Sequence, residues 1–161
     1  MGSNAIKEAA FDAGPLIHLF EIDGFNLLNL FGSIYITEEV NQETSWIKKP
    51  NNIVKKINLN KKSKDFSKAL ILDYDVDLGE ATAIALAKQV NLSLFFTDDL
   101  LAREISKQFG LEPHGTIAII IRCYKVNMIS KDKTIDYLKK LKEKSSLFIT
   151  SDIINDIIRN L

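Results

Sequence analysis

Residues 78–99 constrain the fold of this chain more than any other stretch, because they join a helical pattern to a buried strand that ends in acids. Gly79 opens the helix and Glu80 lies in its first turn, on the stripe that also carries Ala83 and Ile84. Residues three and four apart share one helix face, so the Glu80 carboxylate points along the core-facing side. A buried carboxylate needs a donor, a cation or a proton, and a bound metal would satisfy it.

Predicted strands and helices alternate along the rest of the chain. Strands are expected at residues 6–12, 33–36 and 92–96, with a short edge strand inside 53–59. Helices are expected from Pro15, from Asp23, after Thr37 and at residues 65–72, 79–90, 100–109, 131–144 and 151–161, the last capped by Ser151 or Asp152. Residues 115–126 are apolar nearly all round and fit a buried helix, with a strand as the alternative.

Length and composition indicate one α/β domain over residues 6–161, with a mainly parallel sheet flanked by helices. Residues 1–5 are expected to be a cloning remnant or a disordered start. Acidic and basic residues balance at 21 each, so no global charge favours a nucleic acid or a membrane. A single cysteine, Cys123, fits a reducing cytoplasm, and no apolar run approaches the roughly 18 residues that span a bilayer.

Acidic residues gather where the predicted strands end. Asp12 ends the first strand, Asp98 and Asp99 follow a later one, and Glu43 and Glu80 come from helices that could lean over the same edge. Sites in parallel sheets form at the carboxyl ends of strands. Carboxylate oxygens are the ligands of hard cations, so the pattern suggests Mg²⁺ or Mn²⁺ acting on a phosphodiester.

Each acid also has a simpler interpretation. Asp12 could cap the first helix, and Asp98 or Asp99 could cap the helix that follows them. Glu80 could complement a helix dipole. The stripe of Ile36, Val40, Glu43 and Ile47 predicts that Glu43 faces the core, although a glutamate at the rim of a site is commoner than a ligand. Only the joint pattern favours a metal centre.

The motifs and their order resemble those of the PIN-domain family, most closely its VapC-like nuclease branch. The resemblance covers nearly the whole chain from Phe11 and lies in FDAGPLI, ITEEVNQE, LGEATAIALA, FFTDDLLAREIS, HGTIAIII and SSLFIT. It implies a PIN fold and a ribonuclease that depends on Mg²⁺ or Mn²⁺. The family's acidic positions match Asp12, Glu43, Glu80, Asp98 and Asp99, of which all but Glu43 are expected metal ligands. Spacing leaves open which of Asp98 and Asp99 ligates.

One departure from the family pattern concerns Gly14. Many PIN domains carry Ser or Thr two residues after the first aspartate, and this chain lacks that hydroxyl. Thr97 matches the small hydroxyl residue that precedes the later aspartates. The loss of a supporting hydroxyl puts metal affinity in question.

Basic residues supply candidate contacts to RNA phosphates. Seven lysines occur in residues 48–64 with no acid among them, and Lys55 and Lys56 lie in the expected edge strand. A solvated edge is the simpler interpretation. Arg103, one turn after Asp99, could hold phosphate or pair with a carboxylate, and Thr97 is a further candidate for substrate binding.

The sequence therefore predicts an endoribonuclease, with RNA as substrate and the toxin of a toxin–antitoxin pair as one role. An antitoxin protein and a homodimer are partners that the resemblance implies. The alternative is a non-catalytic PIN fold that binds RNA or protein. A response-regulator receiver domain would also gather acids at strand ends, but the order of acids here fits it poorly.

Overall fold

The computed structural model describes residues 6–161, so the predicted remnant or disordered start at residues 1–5 lies outside the described range. The strands are β1 (Ile6–Phe11), β2 (Phe31–Ile36), β3 (Val54–Lys56), β4 (Leu94–Phe96) and β5 (Glu112–His114). The α-helices are α1 (Ala13–Glu21), α2 (Glu38–Glu43), α3 (Lys61–Tyr74), α4 (Leu78–Gln89), α5 (Leu100–Gln108), α6 (Thr116–Lys125), α7 (Lys131–Lys144) and α8 (Ser151–Arg159). A 3₁₀ helix, Phe25–Leu30, precedes β2.

The five strands form one sheet in the order β3-β2-β1-β4-β5, and every pairing between them is parallel. This confirms the predicted α/β class with a parallel sheet flanked by helices. The predicted short edge strand is β3, at one border of the sheet. Because the sheet is parallel, the carboxyl ends of β1 and β4, which are neighbours, lie at the same edge.

Helix α4 packs closely on the sheet, as expected for the segment that constrains the fold. Its residues Ala81, Ala83, Ile84 and Ala87 are fully buried. Small alanine side chains let the helix axis approach β1. Burial of their methyl groups stabilises the fold by roughly 25 cal/mol for each Å² of apolar surface removed from water. The start of α4 is thereby fixed against the carboxyl end of the sheet.

Residues 115–126 were expected to form a buried helix, with a strand as the alternative, and they contain helix α6. Its buried side chains include Ile119, Ile120 and Cys123, whereas Ile117 and Ile121 are only half-buried. The helix is therefore one-sided rather than surrounded by core. Within residues 6–161, no helix combines the length and the apolar character that crossing a membrane requires.

Several predicted helix starts were wrong. Helix α1 begins at Ala13, so Pro15 is its third residue and not its first. Asp23 does not cap the next helix, because its backbone adopts a left-handed conformation with φ 56° and the 3₁₀ helix begins two residues later. The last helix is capped by Thr150, whose side chain accepts a hydrogen bond from the Ile153 amide.

Candidate active site

A cavity of about 550 Å³ opens at the carboxyl ends of β1 and β4. It brings together the five acids that the sequence predicted and adds a sixth, which precedes α4. The carboxylates on its walls are Asp12, Glu43, Asp77, Glu80, Asp98 and Asp99. The negative charge is therefore concentrated at the carboxyl ends of parallel strands, which is where this class of fold places ligand sites.

Asp12 is the most deeply placed of these acids and is 5% exposed. It caps α1, because its Oδ1 accepts a hydrogen bond of 2.8 Å from the Ala13 amide. Its Oδ2 accepts a second, of 3.0 Å, from the Thr97 hydroxyl. The pKa of Asp12 is raised to about 6, mainly by burial and in part by the charges of Glu43 and Asp99, although the two hydrogen bonds act in the opposite direction. The capping interpretation and the cavity interpretation thus both hold for this residue.

Glu80 lies in the first turn of α4 and also has two roles. Its Oε2 accepts a hydrogen bond of 2.9 Å from the Asp77 amide, which satisfies a donor at the helix start. Its carboxyl nevertheless borders the cavity. Burial raises the pKa of Glu80 to about 7, with the charges of Asp12, Asp99 and Asp77 acting in the same direction.

The prediction that Glu43 faces the core was wrong, because this residue is exposed at the rim of the cavity. The stripe from Ile36 to Ile47 assumed a continuous helix, but α2 ends at Glu43 itself. The Glu43 carboxylate approaches α4 at Gly79, where any Cβ would collide with it. Partial burial raises the pKa of Glu43, and the charge of Asp77 adds to the shift.

Asp98 and Asp99, which spacing could not distinguish, occupy different environments. Asp98 accepts hydrogen bonds from the Thr116 amide (2.7 Å) and hydroxyl (2.6 Å), and its Oδ2 lies 2.6 Å from His18 Nδ1. Burial alone would raise the pKa of Asp98, but the bonds from His18 and Thr116 outweigh it and hold the pKa below its ordinary value. Asp99 is exposed and caps α5 through a 2.7 Å bond from the Ala102 amide.

Sequence reasoning favoured a hydrogen-bonded structural role for His18, but it did not identify His18 and Thr116 as the partners that anchor Asp98. His18 follows Asp12 on α1, and Thr116 begins α6 directly after β5, at the same edge of the sheet. The rule that sites form at strand ends could have selected Thr116, because β5 is also parallel to β4. Gly115 leaves room for the Asp98 carboxylate and the Arg103 guanidinium, because a Cβ at residue 115 would collide with both.

The residues predicted to bind substrate lie outside the cavity walls that the structure describes. Thr97 is fully buried and bonded to Asp12. Arg103 pairs with a carboxylate: it donates to the Thr97 carbonyl (3.0 Å) and lies 3.8 Å from Asp98. Lys55 contacts Ser33, and Lys56 forms an ion pair with Glu38.

Lys56 nevertheless lies at the edge of the sheet where the acids gather. It ends β3, so it lies at the same sheet edge as Asp12, two strands away. Neighbouring strands are about 5 Å apart, which puts Lys56 roughly 10 Å to the side of β1. At that distance Lys56 does not border the acidic cavity.

The donor set fits a hard divalent cation, because it consists of carboxylate oxygens whose negative charges raise one another's pKa. In residues 6–161, however, no group of three or more His, Cys, Asp or Glu side chains is arranged to hold a metal ion. Several of the oxygens are engaged in helix caps instead, notably those of Asp12 and Asp99.

Comparison with known proteins yields one result that covers most of the molecule. A family model described as PIN domain matches residues 8–161. The match includes β1 from its third residue on, the whole of the other four strands and all the acids of the cavity. No curated protein matches the sequence.

Proposed function

The chain belongs to the PIN-domain family, whose members are generally nucleases, and on that premise we propose that it is a metal-dependent endoribonuclease. The observation that supports the proposal is the single cavity with six carboxylates on its walls. Two of them, Asp12 and Glu80, have pKa values raised to about 6 and about 7. Burial is the main cause of both pKa shifts, and the charges of the neighbouring carboxylates add to it. A cation bound among these oxygens would offset both effects, and Mg²⁺ and Mn²⁺ prefer oxygen ligands.

Asp12, Glu80 and Asp99 would hold the cation, since their carboxylates influence one another across the cavity. When bound, Mg²⁺ or Mn²⁺ supplies charge that polarises the phosphodiester and lowers the pKa of an attacking water. Asp98 is already saturated by His18 and Thr116, so it serves mainly to hold the end of β4 and the start of α6 in place.

Glu43 is the best placed group for proton transfer. It lies at the rim, and its pKa is raised by partial burial and by Asp77, which favours a carboxylate that takes and returns a proton. In this role its Oε atoms accept the proton of the attacking water, while Asp12, Glu80 and Asp99 would hold the cation. Glu43→Gln would then lower kcat by about 100-fold or more with little change in KM.

Cleavage of a mixed single-stranded RNA pool tests the proposal. Wild type, Asp12→Asn and the control Asp65→Asn, an exposed acid on α3, are compared with Mn²⁺, Mg²⁺ and chelator. Asparagine keeps the Asp12 cap, because its carbonyl oxygen still accepts from Ala13 and the Thr97 hydroxyl can reverse its role. We expect metal-dependent cleavage by wild type and Asp65→Asn only. Equal cleavage by Asp12→Asn, or undiminished cleavage in chelator, would contradict the proposal.

A second candidate function is binding without turnover. Two observations favour it. Several of the acids cap helices, and residues 6–161 contain no group of three or more side chains arranged as metal ligands. Gly14 also lacks the hydroxyl that many PIN domains carry at this position. A Cβ at residue 14 would lie 3.7 Å from Asp98, an ordinary contact, so Gly14→Ser is compatible with the fold and supplies the hydroxyl. A wild type that binds RNA or protein but cuts RNA only after Gly14→Ser would favour this second function.

The cellular role follows from the same proposal. As a toxin, the chain would act on cytoplasmic RNA and would be neutralised by an antitoxin protein. Its expression alone should then arrest growth, whereas Asp12→Asn should not. Growth arrest by both forms would argue against RNA cleavage as its cause.

A further inference from the structure

One large aromatic side chain faces solvent at the mouth of the acidic cavity. Phe148 is 89% exposed and lies on the cavity wall together with Leu147. Within residues 6–161 it pairs with no other aromatic ring, whereas Phe20, which is also exposed, packs edge-on against Trp46. A single exposed apolar side chain is ordinary by itself, so the informative feature of Phe148 is its place on the wall of the acidic cavity.

The exposure of Phe148 results from how its loop is held. Leu147 and Ile149, on either side, pack against the core, so the backbone turns the ring outward. Ser146 is tied to Glu21 by two hydrogen bonds to Oε2, of 2.7 Å from its amide and 3.1 Å from its hydroxyl. Glu21 ends α1, the helix that Asp12 caps. The ring is therefore fixed relative to the acids by a short helix.

The charge beside this loop is opposite to that of the cavity. Lys142 and Lys144 are exposed in the last turn of α7, four to six residues before Phe148. Both lysines belong to the helical turn that leads into the ring in sequence, and with Glu143 between them they give that turn a net positive charge. An acidic cavity, an exposed ring on its wall and lysines in the turn that precedes the ring match the reacting phosphate, a base and the flanking phosphates of one strand.

We propose that Phe148 stacks on an unpaired nucleobase beside the scissile phosphate, with Lys142 and Lys144 contacting phosphates further along the same strand. The proposal rests on the proposed function and narrows its substrate to single-stranded or looped RNA, because a paired base cannot offer its face to the ring. The strand then leaves the cavity over the α7–α8 loop, away from the lysines of β3.

RNA fits this surface better than a protein does. A docking protein would need a continuous apolar patch, but the apolar side chains on this wall, which include Leu78 and Leu147 beside Phe148, share it with six carboxylates. A ring with charged surroundings is the usual arrangement of a stacking platform for single strands. Protein docking is therefore kept as an outcome of the test.

Binding of RNA without cleavage is the direct measurement. In an Asp12→Asn background with Mg²⁺, a mixed-sequence single-stranded RNA pool carrying 2-aminopurine reports both affinity and base stacking. The variants are Phe148→Ala, Phe148→Leu and Phe148→Trp, and the control is Leu72→Ala, which removes an equally exposed apolar side chain from α3. Circular dichroism checks that each variant is folded.

We expect Phe148→Ala and Phe148→Leu to bind at least about fivefold more weakly and to lose fluorescence quenching, because stacking on one base is worth roughly 1–3 kcal/mol. Phe148→Trp and Leu72→Ala should bind like the parent. Unchanged affinity in Phe148→Ala would overturn the proposal. Parental affinity in Phe148→Leu alone would overturn stacking and indicate a merely apolar contact, as in protein docking.

The outcome is separable from that of the proposed function. Binding that depends on Phe148, in a wild type that never cleaves RNA, would leave the stacking proposal standing and refute hydrolysis. Cleavage by wild type that is indifferent to Phe148 would do the reverse.

Discussion

Asp98 shows how single residues organise this site. Its side chain is buried, and its charge is balanced by the bonds from His18 and Thr116, with Arg103 close by. A carboxylate so fully engaged stabilises the fold more than it serves chemistry, because any loss of a partner leaves a buried charge unsatisfied. The neighbouring Asp99, which is exposed, is the freer of the two.

His18→Leu should destabilise the domain by about 1–3 kcal/mol, because it leaves Asp98 buried with one partner fewer. His18→Asn should recover most of that loss, since the asparagine amide can occupy the place of Nδ1, which lies 2.6 Å from Asp98. Urea unfolding at neutral pH measures both variants. Equal loss in the two would show that His18 acts by packing alone.

The residues themselves were predictable to different degrees. Asp12, Asp98 and Asp99 were found because strand ends can be located from local pattern. The partners of Asp98 could not be found in this way, since His18 lies 80 residues away in the chain and meets it only through the sheet register. Such contacts depend on tertiary structure, which one sequence does not reveal.

At the scale of elements, the contact between α2 and α4 brings Glu43 to the cavity. Gly79 makes the contact feasible, because the Glu43 carboxylate fills the space that a side chain would need. The helices were expected from their periodicity, but their ends were not. Helix α2 starts at the Thr37 cap and stops at Glu43, where the Thr44 hydroxyl donates to the Val40 carbonyl of the last turn.

Gly79→Ala should displace Glu43 and leave the fold intact, because Glu43 is a flexible, exposed side chain and alanine favours the helix by up to about 1 kcal/mol. Cleavage should fall about as far as in Glu43→Gln. The double variant should be no worse than either single one. Additive losses in this cycle would mean that Gly79 does not act through Glu43.

At the scale of the whole molecule, the parallel sheet collects acids from separate parts of the chain at one edge. The class of fold and this edge were predictable from alternating strands and helices. The one exposed ring at the mouth of the cavity was not, because nothing in its local sequence indicates that Leu147 and Ile149 turn inward.

The crowded acids should make stability depend on pH in the absence of metal. The folded-state pKa values of Asp12 and Glu80, about 6 and about 7, exceed their ordinary values of 3.8 and 4.5. The folded chain therefore binds more protons than the unfolded chain between these limits. This contribution is fully present below about pH 4 and is lost as the pH rises through about 7.

Urea unfolding in chelator, followed across that range, measures this contribution. Asp12→Asn should show a smaller decline in stability than wild type and should be the more stable of the two near neutral pH. A decline of equal size in both proteins would show that Asp12 is not responsible.

The central claim is that the acids of the cavity act together on a divalent cation, and titration calorimetry with Mn²⁺ tests it most directly. Near pH 6, wild type should bind Mn²⁺ and release protons, because Asp12 and Glu80 are partly protonated there and must ionise to act as ligands. Asp12→Asn should bind at least about tenfold more weakly. If folded wild type bound no Mn²⁺, or if Asp12→Asn bound it equally well, the account of this site would be contradicted.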